Sequence, residues 1–357
     1  MSKDIDFLGL VEQAEHQRQA RRNFIRLCGG AAAMTGGLAL LSACNSDDNS
    51  ATTPTPTATP TPTAAAVTDV DILNFALQLE YLEAAYYTYA VTGAGIASSL
   101  QAGIGTQGAV IPGSGAGAAR AVSFSDPVIA QYAREIAADE IAHVTFLRST
   151  LGSSAAAQPI INLSGSATVT ANGASVPGAF TAAARAAGVV DANTIFDPFA
   201  SDINFLIGSY LLTDVGVTAY RGSARLITNK TYLEASAGLL AVEAYHDGVI
   251  RSELYRLGVS APATAATSAI IGNVQKISDA RDSLDGTSGA AADNDQGIGT
   301  ATTANLVPTD ANSLALGRTA TQVLNVVYLN AGAGTSSGGF FPVGVNGTIR
   351  TTVANPS

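Results

Sequence analysis

The sequence predicts an all-α fold, a four-helix bundle with long insertions and a C-terminal extension. Three observations point there. Four long segments carry apolar residues at helical spacing. Two of these segments contain the same pair, Glu140-x-x-His143 and Glu243-x-x-His246. The composition, 47% hydrophobic and only 13% charged over 357 residues, suits a buried core rather than a disordered chain.

The first helix is expected to start at Thr68, whose hydroxyl can cap it. It runs through Ile72 to about Val91, with Leu73, Leu77, Glu80, Ala84 and Tyr87 on one stripe. A glycine-rich stretch over 93–124 follows. Asp126-Pro127 then reads as the N-cap and first-turn proline of a second helix, on which Tyr132, Ile136, Glu140, His143, Leu147 and Leu151 fall at alternating spacings of four and three. Residues 152–199 form a long crossover, with a hairpin around Asn172-Gly173 and a short helix near 182–187.

The third helix spans about 201–227, with Leu206, Tyr210, Thr213, Val217 and Tyr220 in phase. The fourth opens on a capping box, Thr231-x-x-Glu234, and its seam reads Leu239, Glu243, His246, Ile250, Leu254 and Leu257. Both Glu-His pairs therefore lie on core seams. Residues 68–258 make the bundle and 259–357 the extension. The extension has helices near 268–284 and 316–328, and its tail, with Phe340-Phe341, packs back on the bundle.

Residues 1–44 read as a leader. Arg21-Arg22-Asn23-Phe24-Ile25-Arg26 precedes an apolar run rich in Gly and Ala, the composition of a twin-arginine export signal, too short and weak for a membrane span. Leu41-Ser42-Ala43-Cys44 resembles a lipoprotein box, so Cys44 is the expected lipid attachment and the membrane the expected partner. Residues 45–67, alternating Thr with Pro, read as a tether. The expected location is the cell envelope. Cys28 and Cys44 are the two cysteines, so the mature chain has no pair to join.

The formal charge of −10 excludes nucleic acid as a partner, since no basic stripe exists to meet phosphates. No Gly-x-Ser-x-Gly, Walker loop or Cys-x-x-Cys occurs. Asp293-Asn294-Asp295-Gln296-Gly297 imitates the start of a calcium loop, but Ala304 stands where its bidentate glutamate belongs.

The Glu-His pairs carry the chemistry. Positions i and i+3 share a helix face, so a carboxylate and an imidazole can grip one ion. Left unpaired in a core, each would cost several kcal/mol. In two-metal carboxylate bundles the paired glutamates bridge both ions, each histidine takes one ion, and the other two helices give one glutamate each. Glu140, His143, Glu243 and His246 fill the paired roles, and Glu80 fits the first helix, with Glu83 one turn on as its backup. On the third helix the matching position is Thr213. Asp214 beside it lies about 100° round the helix. Three carboxylates fall one short of neutralising two divalent ions, so the second ion is expected to bind weakly unless Asp214 or water completes its shell. Iron or manganese, as one or two ions, is the expected cofactor. Tyr87 and Tyr220 are core aromatics or outer partners of the site, Glu83 and Glu135 are solvated or outer partners, and Asp139 and Asp247 sit on solvated faces by default. A buried polar network without metal is the alternative reading of the same pairs.

The runs Leu73-Asn74-Phe75-Ala76-Leu77-Gln78-Leu79-Glu80-Tyr81-Leu82-Glu83-Ala84, Asp214-Val215-Gly216-Val217-Thr218-Ala219-Tyr220 and Ala241-Val242-Glu243-Ala244-Tyr245-His246 resemble the ferritin-like domain family that includes desiccation-related proteins. The closing Gly339-Phe340-Phe341-Pro342 and Asn346-Gly347 are similar too, so the resemblance covers about 68–347. It implies a metal-carboxylate bundle acting on oxygen or peroxide, or a non-enzymatic envelope protein of stress or desiccation type whose site has decayed. Family members commonly carry an acid where this chain has Thr213. The tether and insertions argue against a closed storage cage, while a homo-oligomer is left open.

Overall fold

A computed structural model describes residues 67–260, 264–286 and 294–354. The leader, Cys44 and the tether up to residue 66 lie outside them, as does Asp293. The chain divides into Met1–Thr63 and Ala64–Ser357, and the described residues all belong to the second unit.

The fold is all-α. Its bundle consists of α1 (Asp69–Thr92), α2 (Pro127–Leu151), α4 (Asp202–Ala224) and α5 (Lys230–Gly258), with α3 (Ala179–Ala186) inside the crossover. In the extension, α6 spans Ile270–Asp285 and α7 spans Ala320–Tyr328. Helix α1 packs along α2 and α4 along α5, and the two pairs meet through α1 with α4 and α2 with α5.

Local chemistry sets the helix ends. Thr68 accepts a bond from the Asp71 amide while the Asp71 carboxylate accepts from Thr68 in return, a closed capping box, and α1 stops at Gly93 in the left-handed region. The Asp126 side chain caps α2 ahead of Pro127, and Ser201 caps α4. Helix α5 departs from the expected start. Its cap is Asn229, whose side-chain oxygen accepts from the amides of Thr231 and Tyr232. The Asp69 carboxylate accepts bonds from the Thr228 and Asn229 amides, which fixes Asn229 at the helix mouth and leaves Thr231 inside the first turn. In the crossover, Val169–Ala171 and Ala174–Val176 pair antiparallel around Asn172 and Gly173, both at positive φ as a tight hairpin requires.

Helices α1 and α4 are buried on nearly every side, whereas α2 and α5 keep exposed outer faces. Coverage explains the difference. Asn74 and Gln78 of α1 bond crossover carbonyls at Ser154 and Ala157, and the Gln78 side chain accepts from the Asn346 amide of the tail. The crossover and the 93–126 loop approach closely: a Cβ on Gly117, at φ +80°, would lie 2.3 Å from the carbonyl carbon of Gly165. Tyr86 packs against Phe180, Phe199 and Phe205 with ring centroids 5.2, 5.5 and 5.8 Å away. Phe340 and Phe341 are fully buried, so the aromatic tail is part of the core.

A lattice of buried ions ties the extension on. Arg251 on α5 and Arg281 on α6 both bond the Asp214 carboxylate of α4, and Arg281 with Arg318 also grip Asp295. Arg318 further bonds Asp285 and the Thr218 hydroxyl. Asp295 therefore serves as an anchor for arginines. Among the described residues no helix is long and apolar enough to cross a membrane.

Candidate metal centre

The seams of α1, α2 and α5 bring four side chains to one point. Glu80, Glu140, His143 and Glu243 are all buried, and each offers a ligand atom within 4.8 Å of the others, a group able to hold a metal ion. Nδ1 of His143 sits among three carboxylates, 3.2 Å from Glu80 Oε2, 3.3 Å from Glu243 Oε1 and 3.6 Å from Glu140 Oε2. The second pair presents the same atom. His246 Nδ1 lies 3.1 Å from Glu140 Oε1, and the two imidazole rings are 6.0 Å apart.

These groups are close without being satisfied. Neither oxygen of Glu140 or Glu243 is in a hydrogen bond, and neither is Glu83 Oε1 or His246 Nδ1. Glu80 is bonded by His143 and Tyr220, but the remaining buried acceptors are costly to leave unbonded, and a shared cation would satisfy them. The donor set therefore fits a metal. Burial, followed by the neighbouring carboxylates, pushes Glu140 and Glu243 up to about 8. Burial and then Glu243, Glu140 and Glu80 raise Glu83 well above its ordinary value. Burial opposes the charge on His143, but Glu140, Glu243 and Glu80 outweigh it and raise the imidazole. Glu80 is lowered, because the His143 contacts overcome the cost of its burial.

The surrounding groups are placed as follows. Tyr220 donates to Glu80 Oε1, and burial together with Glu80 raises its phenol, so it remains a donor. Tyr87 shares a 2.8 Å hydrogen bond with the Thr213 hydroxyl, which occupies that threonine one helix away from the carboxylates. Asp214 cannot stand in as a ligand, since Arg251 and Arg281 hold both its oxygens. Glu83 and His246 lie outside the four-residue group; Glu83 is buried beside it, and a Cβ built on Gly216 would meet Glu243 Oε2 at 2.9 Å and Glu83 Oε2 at 3.1 Å. The bare face of α4 at Gly216 thus leaves room for a carboxylate from α1.

Two flanking acids differ from the solvated default. Asp139 Oδ2 lies 3.1 Å from His246 Nε2 and orients that ring from the half-exposed α2–α5 edge. Asp247 is buried beside Arg251 because the extension covers that face of α5. Glu135 is exposed, whereas Glu83 is buried. No signal in the sequence joins Asp139 to His246, since they belong to different helices. Gly216 left a trace, being one turn beyond Thr213 on the helix that lacks its acid.

The ferritin-like domain model matches residues 68–256. The chain belongs to that family. A desiccation-related protein of Craterostigma plantagineum is 32% identical over 188 residues, 53% of this chain and 53% of its own length. The chain thus spans about half of that relative. A ferritin-like catalase of Nesocodon mauritianus is 28% identical over 286 residues, covering 79% of this chain and 84% of its own. No solved structure matches the chain.

Proposed function

We propose that this ferritin-like protein holds two iron or manganese ions in its bundle and disproportionates hydrogen peroxide, two H2O2 giving two H2O and one O2. The observation that carries the reading is the convergence of the buried Glu140 and Glu243 carboxylates, none of whose oxygens makes a well-aligned hydrogen bond, on the imidazoles of His143 and His246 at 3.3 and 3.1 Å. Glu80, Glu140, His143 and Glu243 would hold the first ion, and Glu83 and His246, buried beside them, would add the donors for a second. With Glu83 counted, four carboxylates neutralise two divalent ions, which removes the charge deficit expected from Thr213. Bound there, iron or manganese supplies reversible one-electron chemistry toward peroxide.

The chain's own residues prepare the site. Tyr220 holds the terminal carboxylate of Glu80 by its donated hydrogen bond, and Asp139 fixes the His246 ring. Burial excludes water, so the carboxylates bind a cation more strongly than they would at the surface. Support for peroxide comes from the relative named a ferritin-like catalase, aligned over most of this chain. Metal analysis of protein from metal-replete medium should find about two ions per chain, with loss in Glu140→Ala. Metal-free protein with unchanged melting in that variant would overturn the reading. The rival, a non-enzymatic desiccation-type protein, draws on Thr213 and on the other relative; it requires loaded protein to leave peroxide untouched.

The same proposal places the protein in the cell envelope, exported by a twin-arginine leader and held by lipid on Cys44. Cys44→Ser should move it from the membrane fraction to the soluble one.

A further inference from the structure

We infer that the end of the bundle where α1 begins is a docking surface for an anionic membrane. Helix α4 ends there, and α1 and α5 start there. The Thr228 and Asn229 amides donate to the Asp69 carboxylate, which lays the α4–α5 turn against the first turn of α1. The Thr348 side chain of the tail bonds Asp71 on that same turn.

Two kinds of side chain surround this turn. Val67, Val70 and Leu226 are large apolar groups left 53%, 38% and 53% exposed. Arg225, Lys230 and Arg350 are exposed as well, and among the described residues none of the three has an ion pair or a side-chain hydrogen bond. The acids of the turn are engaged: Asp69 accepts from Thr228 and Asn229, and Asp71 from Thr68 and Thr348. On a chain of net charge −10, three unpaired cations beside bare aliphatic groups are a local exception. Apolar groups gain by leaving water, and each cation near an anionic leaflet strengthens binding about fivefold. A bilayer offers both at one level, anionic headgroups over an acyl boundary. A soluble anion would leave the apolar groups wet, and a second copy of this chain would set the same unpaired cations against one another.

The point where the chain enters gives a second reason. The described residues begin at Val67, on this surface, and Cys44, the proposed lipid site, stands 67 − 44 = 23 residues before it. A Pro/Thr-rich tether of that length reaches about 70 Å, which permits contact and does not by itself orient the bundle. Attachment makes the contact intramolecular, so a weak surface suffices. The docking surface rests on the reading that the chain is held at a membrane, whatever its anchor.

The sequence has no tryptophan, so Leu226→Trp adds a unique indole at this end of the bundle. Val259→Trp adds one at the far end of the 29-residue α5. With the full chain on vesicles of phosphatidylcholine and phosphatidylglycerol, brominated acyl chains should quench the indole severalfold more in Leu226→Trp than in Val259→Trp. The preference should fade on phosphatidylcholine alone and in about 1 M salt, where the screening length is about 3 Å. It should fade equally when Arg225→Gln, Lys230→Gln and Arg350→Gln are combined. Val70→Trp repeats the measurement if Leu226→Trp does not fold. Equal quenching at the two ends, or a preference indifferent to the three glutamines, would overturn the proposal. The anchor is tested apart. If Cys44→Ser leaves the membrane fraction while both ends of the wild-type background quench alike, the lipid reading stands and the surface falls; if the preference holds while Cys44→Ser stays in the membrane fraction, the lipid reading alone falls.

Discussion

Glu83 and Glu80 lie one turn apart on α1, yet their environments set them to different tasks. Glu80 is held by Tyr220 and His143, whereas Glu83 has an unbonded oxygen and faces the gap left by Gly216. Replacing Glu83 with Gln keeps the size and removes the charge. The expected result is one ion retained and one lost, read by metal titration of the purified variant. Asp139→Asn should weaken binding by about 10–100-fold through a misoriented His246, with the helical content unchanged by circular dichroism. Part of this site was legible in the chain. A Glu-x-x-His pair is a local pattern, and helix geometry alone puts its members on one face. The role of Glu83 was not legible, because it depends on an absent side chain on another helix. Thr213 and Asp214 show the same limit: hydrogen bonding to Tyr87 and to two arginines decides their orientation, and none of those partners is near in sequence.

At the scale of elements, caps and stripes carried the information. Thr68 and Asp126 cap the helices their sequence contexts indicate, since an N-cap acts on amides two or three residues away. The start of α5 was misread because Asp69, from the far end of the bundle sequence, anchors the turn that delivers Asn229. Asn229→Ala should therefore cost about 1 kcal/mol in denaturant unfolding, with Thr231→Ala nearly neutral. The extension was the least readable part. Arg251, Arg281 and Arg318 come from three separate segments and meet only in the fold, so no period or motif announces their lattice. Removing one member strands the charges of the others: Arg281→Met should cost about 3–5 kcal/mol, measured as a loss of unfolding free energy.

For the molecule as a whole, the metal-free centre is a source of instability that depends on pH. Burial and the neighbouring carboxylates push Glu140 and Glu243 up to about 8 from the ordinary 4.5, and the three carboxylates around His143 raise its imidazole as well. Between those values the folded chain holds more protons than the unfolded one. Stability of the metal-free protein therefore falls as pH climbs from about 4.5 to about 8. Glu80, lowered in the fold, is already ionised across that window and does not reverse the trend. Metal displaces the protons and should remove or invert the slope. Melting curves of metal-free and loaded protein across this interval check it, and a metal-free Tm that rises toward pH 8 would contradict the arrangement of charges.

The roof over α1 and α4 bears on the order of events in synthesis. Val326, Val327 and Phe340, which wall the space beside Glu83, leave the ribosome after the whole bundle has been made. Until α7 and the tail dock, Glu83 and Gly216 lack that cover, and the ion pairs of Arg281 and Arg318 with Asp214, Asp285 and Asp295 fasten the same extension to the bundle. Ions are therefore expected to reach the centre faster before the last segment settles than after it.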